Sequence, residues 1–337
     1  MLRMKRAVVA VMAFCLVGSL SWVGVSPAEA DELDNAKAEL SRLEGEAAKA
    51  AEEYNKVKAE FDTATAKLKE IDKDIEAQKA TVAALRDQVT VVTLQQFQDR
   101  GTTTTAVLFT SGDSETALDR ILMTTMVADA TTALLQNYQL SQVQLDDLRR
   151  SQQAVVNDIN TKKAHMKELK DKASKKVTEA ANLVARLTAA QQAALEASRA
   201  PGVTSGASSK GGGYTPPPVT NGPAAQAIVS WAKARLGLGY SYGGEGPRSY
   251  DCSGFTKAAY ASIGIRLPHS ASSQYNYGKP VARKDLQPGD LVFFYGGPGH
   301  VGIYVGGGMI IDARNERVGV VYTPISYMPY VGARRLI

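Results

Sequence analysis

The sequence predicts a multidomain protein, a long antiparallel α-helical coiled-coil hairpin followed by an α+β domain with an antiparallel sheet. Three observations predict it. Apolar residues recur every seven positions through two tracts of about sixty residues each. A Pro/Gly/Ser-rich stretch then separates these tracts from the rest of the chain. Beyond it, helical patterns come first and short β-rich runs divided by glycine turns come second, which is the order of an α+β layout.

Residues 1–30 read as a secretion signal. Arg3, Lys5 and Arg6 precede an apolar run from Ala7 to Val25, and Ala28-Glu29-Ala30 gives a small-residue cleavage site before Asp31. An uncleaved membrane anchor is the other reading of that run. Cys15 lies inside it, so cleavage would leave Cys252 as the one cysteine of a secreted chain that works outside the cytoplasm, in the cell envelope. No later segment approaches the ~20 apolar residues of a membrane span.

Residues 31–200 carry the heptads. In the first tract position a is Leu33, Leu40, Ala47, Tyr54, Phe61, Leu68, Ile75, Val82 and Val89; position d is apolar from Ala36 to Val92 except at Gln78. A stripe this long needs a partner helix, and the second tract, from Tyr138 to Ala197, supplies one of matching length. Pairing within the chain gives a hairpin about 90 Å long at 1.5 Å per residue; pairing between chains is the alternative. Lys162 and Lys176 at position d predict an imperfectly sealed seam. Between the tracts a small cap is expected near 101–130. Gly101 and the threonines after it stop the first helix, and Ser114 starts a short one carrying Leu118, Ile121, Leu122, Met123 and Met126.

Residues 201–222 form the linker, and 223–337 the globular domain. Charge follows this division: 31–200 hold 23 Lys and Arg against 27 Asp and Glu, whereas 201–337 hold 13 against 6. A basic domain outside the membrane suits an anionic partner such as cell-wall polymer, although +7 also serves solubility. Twelve of the 14 tyrosines lie from Tyr214 onward, which places a shaped site in this half.

A lone cysteine is a buried filler, an intermolecular bridge or a reactive thiol. Asp251 is an N-cap residue type, so Cys252 is expected to open a helix, where unpaired N–H groups and the helix dipole stabilise a thiolate. A cysteine nucleophile needs an imidazole, and the imidazole needs a third group to hold it. Of three histidines, His165 lies in the coil, His269 on a loop, and His300 beside a glycine at the start of a strand-like run, on one face with Gly302 and Tyr304. Asp312, on the next run, is placed to hold His300.

Four ordered blocks resemble the NlpC family of cell-wall cysteine peptidases: Tyr240-Ser241-Tyr242-Gly243-Gly244, Asp251-Cys252-Ser253-Gly254-Phe255, Leu286 to Phe294, and Gly299-His300-Val301-Gly302-Ile303-Tyr304. The resemblance covers about 115 residues. It implies a papain-like domain that cleaves peptidoglycan stem peptides, usually between D-glutamate and meso-diaminopimelate. By position it implies Cys252 as nucleophile, His300 as base, Asp312 as the third polar residue where the family most often has histidine, and Tyr240 near the oxyanion. Ser253, His269, Ser270 and Gln274 fall where the family lines its substrate groove. The whole layout resembles the RipC-like endopeptidases of daughter-cell separation, which implies control through the coil by a membrane regulator of FtsEX type. No metal, cofactor or nucleic acid is expected. The competing expectation is a non-catalytic wall-binding activator of another hydrolase.

Overall fold

A computed structural model describes residues 27–98, 114–199, 214 and 217–337. The signal as far as residue 26, the 99–113 part of the expected cap and most of the linker lie outside the described residues. Among those described, no helix is long and apolar enough to cross a membrane.

Helix α1 (Pro27–Gln98) and helix α2 (Ser114–Arg186) pack along their lengths. Their pairing is antiparallel. Leu33, Leu40 and Leu43 share a cluster with Ala180 and Leu195, and farther along Ala64, Ile71 and Ile75 share one with Leu145 and Val155. Ser114 does not start a separate short helix as expected. It opens α2, which continues unbroken into the second heptad tract because no glycine or proline interrupts residues 114–138.

The seam's polar positions are bridged. Gln78 donates to the Ser141 carbonyl at 2.9 Å. Lys162 reaches Glu60 at 3.0 Å and Lys176 reaches Glu46 at 3.3 Å, each from α2 to α1, with their stems covering the seam. After Arg186 the chain breaks at Leu187-Thr188, where Thr188 and Gln191 form a reciprocal capping box. Helix α3 (Ala189–Arg199) then folds back and sets Leu195 on the Leu33 end of the hairpin.

The C-terminal domain begins with helix α4 (Pro223–Lys233). Strands β1 (Gly239–Tyr240) and β2 (Ser249–Tyr250) form a short parallel pair ahead of helix α5 (Cys252–Ala261). A single turn of helix, α6 (Ala271–Gln274), leads to a six-stranded antiparallel sheet of β3 (Lys279–Val281), β4 (Leu291–Phe294), β5 (His300–Gly306), β6 (Met309–Ala313), β7 (Val320–Pro324) and β8 (Tyr330–Arg335). The strand order is β3-β8-β4-β5-β6-β7, which puts β5 and β6 well inside the sheet. This is the predicted α+β arrangement of helices first and antiparallel sheet second.

Strand alternation divides the core. Val301, Ile303, Val305, Met309 and Ile311 pack under α4 and α5 with Ile228 and Phe255. Val292, Phe294, Ile310 and Ala333 pack on the other face, where Ala48 of α1 joins them. The β5–β6 turn, Gly306-Gly307-Gly308, has φ of 94°, 58° and 73°, and three such residues in succession are tolerated by glycine alone without strain.

Candidate active site

Asp251 sits at the N-cap of α5 and its Oδ1 accepts the Gly254 N–H at 2.7 Å, so the helix begins at Cys252. The helix rests on β5 and β6, which carries its first residue to the start of β5. His300 opens that strand, opposite Phe294 at the end of β4. Cys252 and His300 line one cavity, together with Tyr240 of β1. Asp312 is fully buried on β6 and meets His300 Nε2 at 2.7 Å. A carboxylate on Nε2 leaves Nδ1 as the nitrogen free for the thiol proton.

The close approach of β5 and β6 depends on Gly302. A Cβ there would lie 2.6 Å from Ile310 Cδ1 and 3.1 Å from Asp312 Cβ. Asp312 is held in turn by Thr323, whose Oγ1 donates to Oδ1, and Arg314 Nη2 donates to that same Thr323 oxygen.

The thiol's surroundings differ from the expected thiolate. Burial pushes the Cys252 thiol well above its ordinary value, and the carboxylates of Asp251 and Glu52 push it the same way; the N–H groups of Val301 and Ser253 pull it down only in part. Burial, and then the neighbouring Cys252, also raise the Tyr240 phenol well above its usual range. It is therefore a neutral hydroxyl, able to donate to developing negative charge.

The residues assigned to the groove divide. Ser270 faces the coil, with its hydroxyl on Glu52. Ser253 is fully buried, donating to Asp251 at 3.2 Å and accepting from Asn55 of the coil at 3.2 Å. Gln274 does not face a groove. Its amide is fully buried and donates to the Ser253 and Pro268 carbonyls while accepting from Thr256 Oγ1, which ties the Cys252 helix to the following turn. His269 also points inward, with Nε2 on Asp251 at 2.8 Å and Nδ1 on Glu245 at 2.7 Å. His165 is exposed on the coil.

Burial alone would lower the His269 pKa, but the hydrogen bond and charge of Asp251, with the charge of Glu245, more than offset it and hold the imidazole above its ordinary value. A raised folded-state pKa adds stability that is fully present below the unfolded value of about 6.5 and is lost as pH rises through the folded value. His269→Gln should therefore lower the melting temperature more at about pH 5.5 than at about pH 8.5. A loss of equal size at both would show that the imidazolium charge is not what secures Asp251.

Sequence reasoning expected control through the coil but named none of the coil residues that face the site. Ala47, Ala48 and Ala51 of α1 and Val177 of α2 complete the wall of the Cys252 cavity, leaving about 50 Å³. Around this lid Glu44 accepts from Tyr295 Oη at 3.2 Å, Tyr54 packs against Tyr242 in a tilted pair with ring centroids 5.9 Å apart, and Ser174 donates to Glu316 at 2.7 Å. The available signal was the cluster of small residues Gly45, Ala47, Ala48, Ala50 and Ala51, which permits close approach of the helix.

Residues 237–335 match the model of the NlpC/P60 family. They form an NlpC/P60 domain. A probable endopeptidase of Corynebacterium glutamicum is 44% identical over 110 residues, which are 33% of this chain and 53% of that relative. The probable endopeptidase p60 of Listeria seeligeri is 48% identical over 100 residues, 29% of this chain and 19% of its own length. Among solved structures, an NlpC/P60 family protein from Bacillus cereus is 36% identical, with a TM-score of 0.33 over 34% of this chain and 40% of its own. The peptidoglycan hydrolase RipB of Mycobacterium tuberculosis is 28% identical, with a TM-score of 0.32 over 34% and 65%. The chain thus spans 53% of the first relative and 19% of the second, and the family match covers residues 237–335.

Proposed function

We propose that the protein is a secreted cysteine endopeptidase that hydrolyses peptidoglycan stem peptides, at the D-glutamyl–meso-diaminopimelate bond, during cell-wall remodelling and daughter-cell separation. One observation carries the reading: a helix-start cysteine shares a cavity with His300, whose far nitrogen is bonded to a buried carboxylate. The family match and the relatives named as endopeptidases support the class of reaction.

In this reading His300 Nδ1 takes the Cys252 proton and the thiolate attacks the amide carbonyl carbon. The resulting imidazolium, stabilised by Asp312, returns the proton to the leaving amine as the C–N bond breaks. Tyr240 and the first-turn N–H groups of α5 face the developing oxyanion. Water then hydrolyses the thioester, releasing the carboxylate and restoring the thiol.

A cavity of about 50 Å³ is too small for a peptide. The coil is therefore the regulatory element, and turnover requires it to lift. The exposed apolar side chains Leu122, Met123, Met126 and Val127 at the far end of the hairpin support a docking role there, for a membrane regulator of FtsEX type.

The test is mass spectrometry of purified peptidoglycan digested with the full chain and with residues 214–337, which hold their own apolar core. New amino groups on diaminopimelate are the expected product, more abundant with the shorter chain. Intact stem peptides in both digests would remove the peptidase reading in favour of a wall-binding activator, and equal product from both chains would remove the regulatory role of the coil.

A further inference from the structure

Arg314 follows directly on β6, two residues after Asp312, and lines the cavity that holds Cys252 and His300. Its side chain is 10% exposed. A buried guanidinium ordinarily has a carboxylate on its fork, because an unpaired ion is costly to bury. This one does not. Its nearest carboxylate oxygen, Asp312 Oδ2, lies 4.0 Å from Nε and is already taken by His300 Nε2 at 2.7 Å. Nε itself is buried with no hydrogen-bond partner. The contacts that remain hold the group in place without neutralising it. Nη2 donates to Thr323 Oγ1 and, at 3.4 Å, to the Tyr322 carbonyl, and the guanidinium carbon lies 4.5 Å from the centre of the Tyr327 ring.

Orienting Thr323 takes a single N–H donor and no charge, so a neutral amide would serve that end without burying an ion. What the structure holds instead is a fixed, uncompensated cation in the wall of the site, the arrangement of an anion receptor.

Its place says which part of a ligand it meets. Ser253, His269 and Ser270, on the α5 side, do not line this cavity, whereas Arg314 does. It stands behind His300, beside the same carboxylate. In the proposed reaction His300 gives its proton to the leaving amine, so the residue that bears this amine lies on the His300 side of the thiol. The amine meets Nδ1, while the guanidinium lies beyond Nε2 and Asp312. A side chain spans that separation and the backbone of the leaving residue does not. A side chain that ends in a carboxylate fits the receptor; one that ends in an amine alone brings like charge to it.

We propose that Arg314 is a specificity residue that reads a carboxylate at the end of the side chain of the residue whose amine is released. The proposal rests on the peptidase reading for the reaction. It selects, as the leaving residue, a diamino acid with a free side-chain carboxylate, as in meso-diaminopimelate, over lysine or a side-chain carboxamide.

The experiment measures kcat/KM of residues 214–337, whose main core contains no coil residue, on two stem peptides. One is L-Ala-γ-D-Glu-meso-diaminopimelyl-D-Ala with its side-chain carboxyl free, and the other carries a carboxamide at that position. A charge-assisted fork predicts an acid-to-amide ratio of about thirtyfold, expressed mainly in KM because the contact is remote from the breaking bond. Arg314→Met should bring the ratio to about one. Its loss of the Thr323 contact slows both peptides alike and cancels in the ratio. Arg314→Lys keeps a charge without the fork, should leave an intermediate ratio, and covers the case in which the methionine variant fails to fold.

Equal kcat/KM for acid and amide in the unsubstituted domain overturns the assignment, and so does a preference that survives undiminished in the substituted domains. If the domain cleaves neither peptide, the peptidase reading falls and the carboxylate site is decided by protection of Cys252 from iodoacetamide. Stronger protection by the acid than by the amide, abolished by substitution of Arg314, keeps the site; equal protection removes it.

Discussion

Cys252→Ala is expected to abolish release of stem-peptide fragments by residues 214–337, with a loss in rate on the order of 10⁴-fold or more. The size follows from the chemistry. Without sulfur there is no acyl-enzyme, and the remaining groups, His300 and the oxyanion donors, must act on a water that the cavity does not position. The fold should survive, because truncating one buried sulfur costs about 1 kcal/mol, and the helix start is fixed by Asp251 on Gly254 rather than by the thiol. The readout is fragment release by mass spectrometry, with far-ultraviolet circular dichroism as the check on folding. Undiminished release by the variant would take Cys252 out of the mechanism and move attention to a water-activating His300.

Asp312→Asn is expected to be nearly as damaging as Asp312→Ala, each lowering kcat/KM by about 10²–10⁴-fold with little change in KM. The alanine variant leaves the His300 tautomer unfixed. The asparagine variant is the more informative of the two. Arg314 donates to Thr323 Oγ1, so the Thr323 hydrogen is turned toward Asp312 Oδ1. An amide at 312 therefore presents its oxygen to Thr323 and its NH₂ to His300 Nε2. That makes Nε2 the acceptor and puts the ring proton on Nδ1, the nitrogen that should receive the proton from Cys252. An Asp312→Asn variant with near-full kcat/KM would show that an uncharged acceptor suffices and that the Arg314–Thr323 chain does not set its direction.

The grouping of Cys252, His300 and Asp312 was legible because its parts lie in local patterns. Asp251 before Cys252 is an N-cap signal, and two-residue strand alternation placed His300 with Gly302. A tight glycine turn brought Asp312 back beside them. The groove residues were less legible, because the resemblance gives a position along the chain but not the direction of a side chain. Gln274 and His269 turn inward to satisfy buried polar groups, Gln274 on carbonyls and His269 on two carboxylates, a demand visible only once the neighbours are in place.

The sequence by itself determined the two long helices and the α+β domain, since heptad and strand periodicities are written in neighbouring residues, whereas the intrachain antiparallel pairing of the helices was decided by the structure, because heptads do not name their partner. Only the tertiary structure decided what the coil does to the site. Heptads describe the face a helix turns toward its partner helix. Glu52 and Asn55 lie off that face, and their partners Ser270 and Ser253 stand 218 and 198 residues away. No local period records contacts of that range. They exist because a row of alanines lets α1 approach the domain closely enough for a carboxylate to reach the 270–272 turn, and the same approach buries Cys252 and raises its thiol pKa.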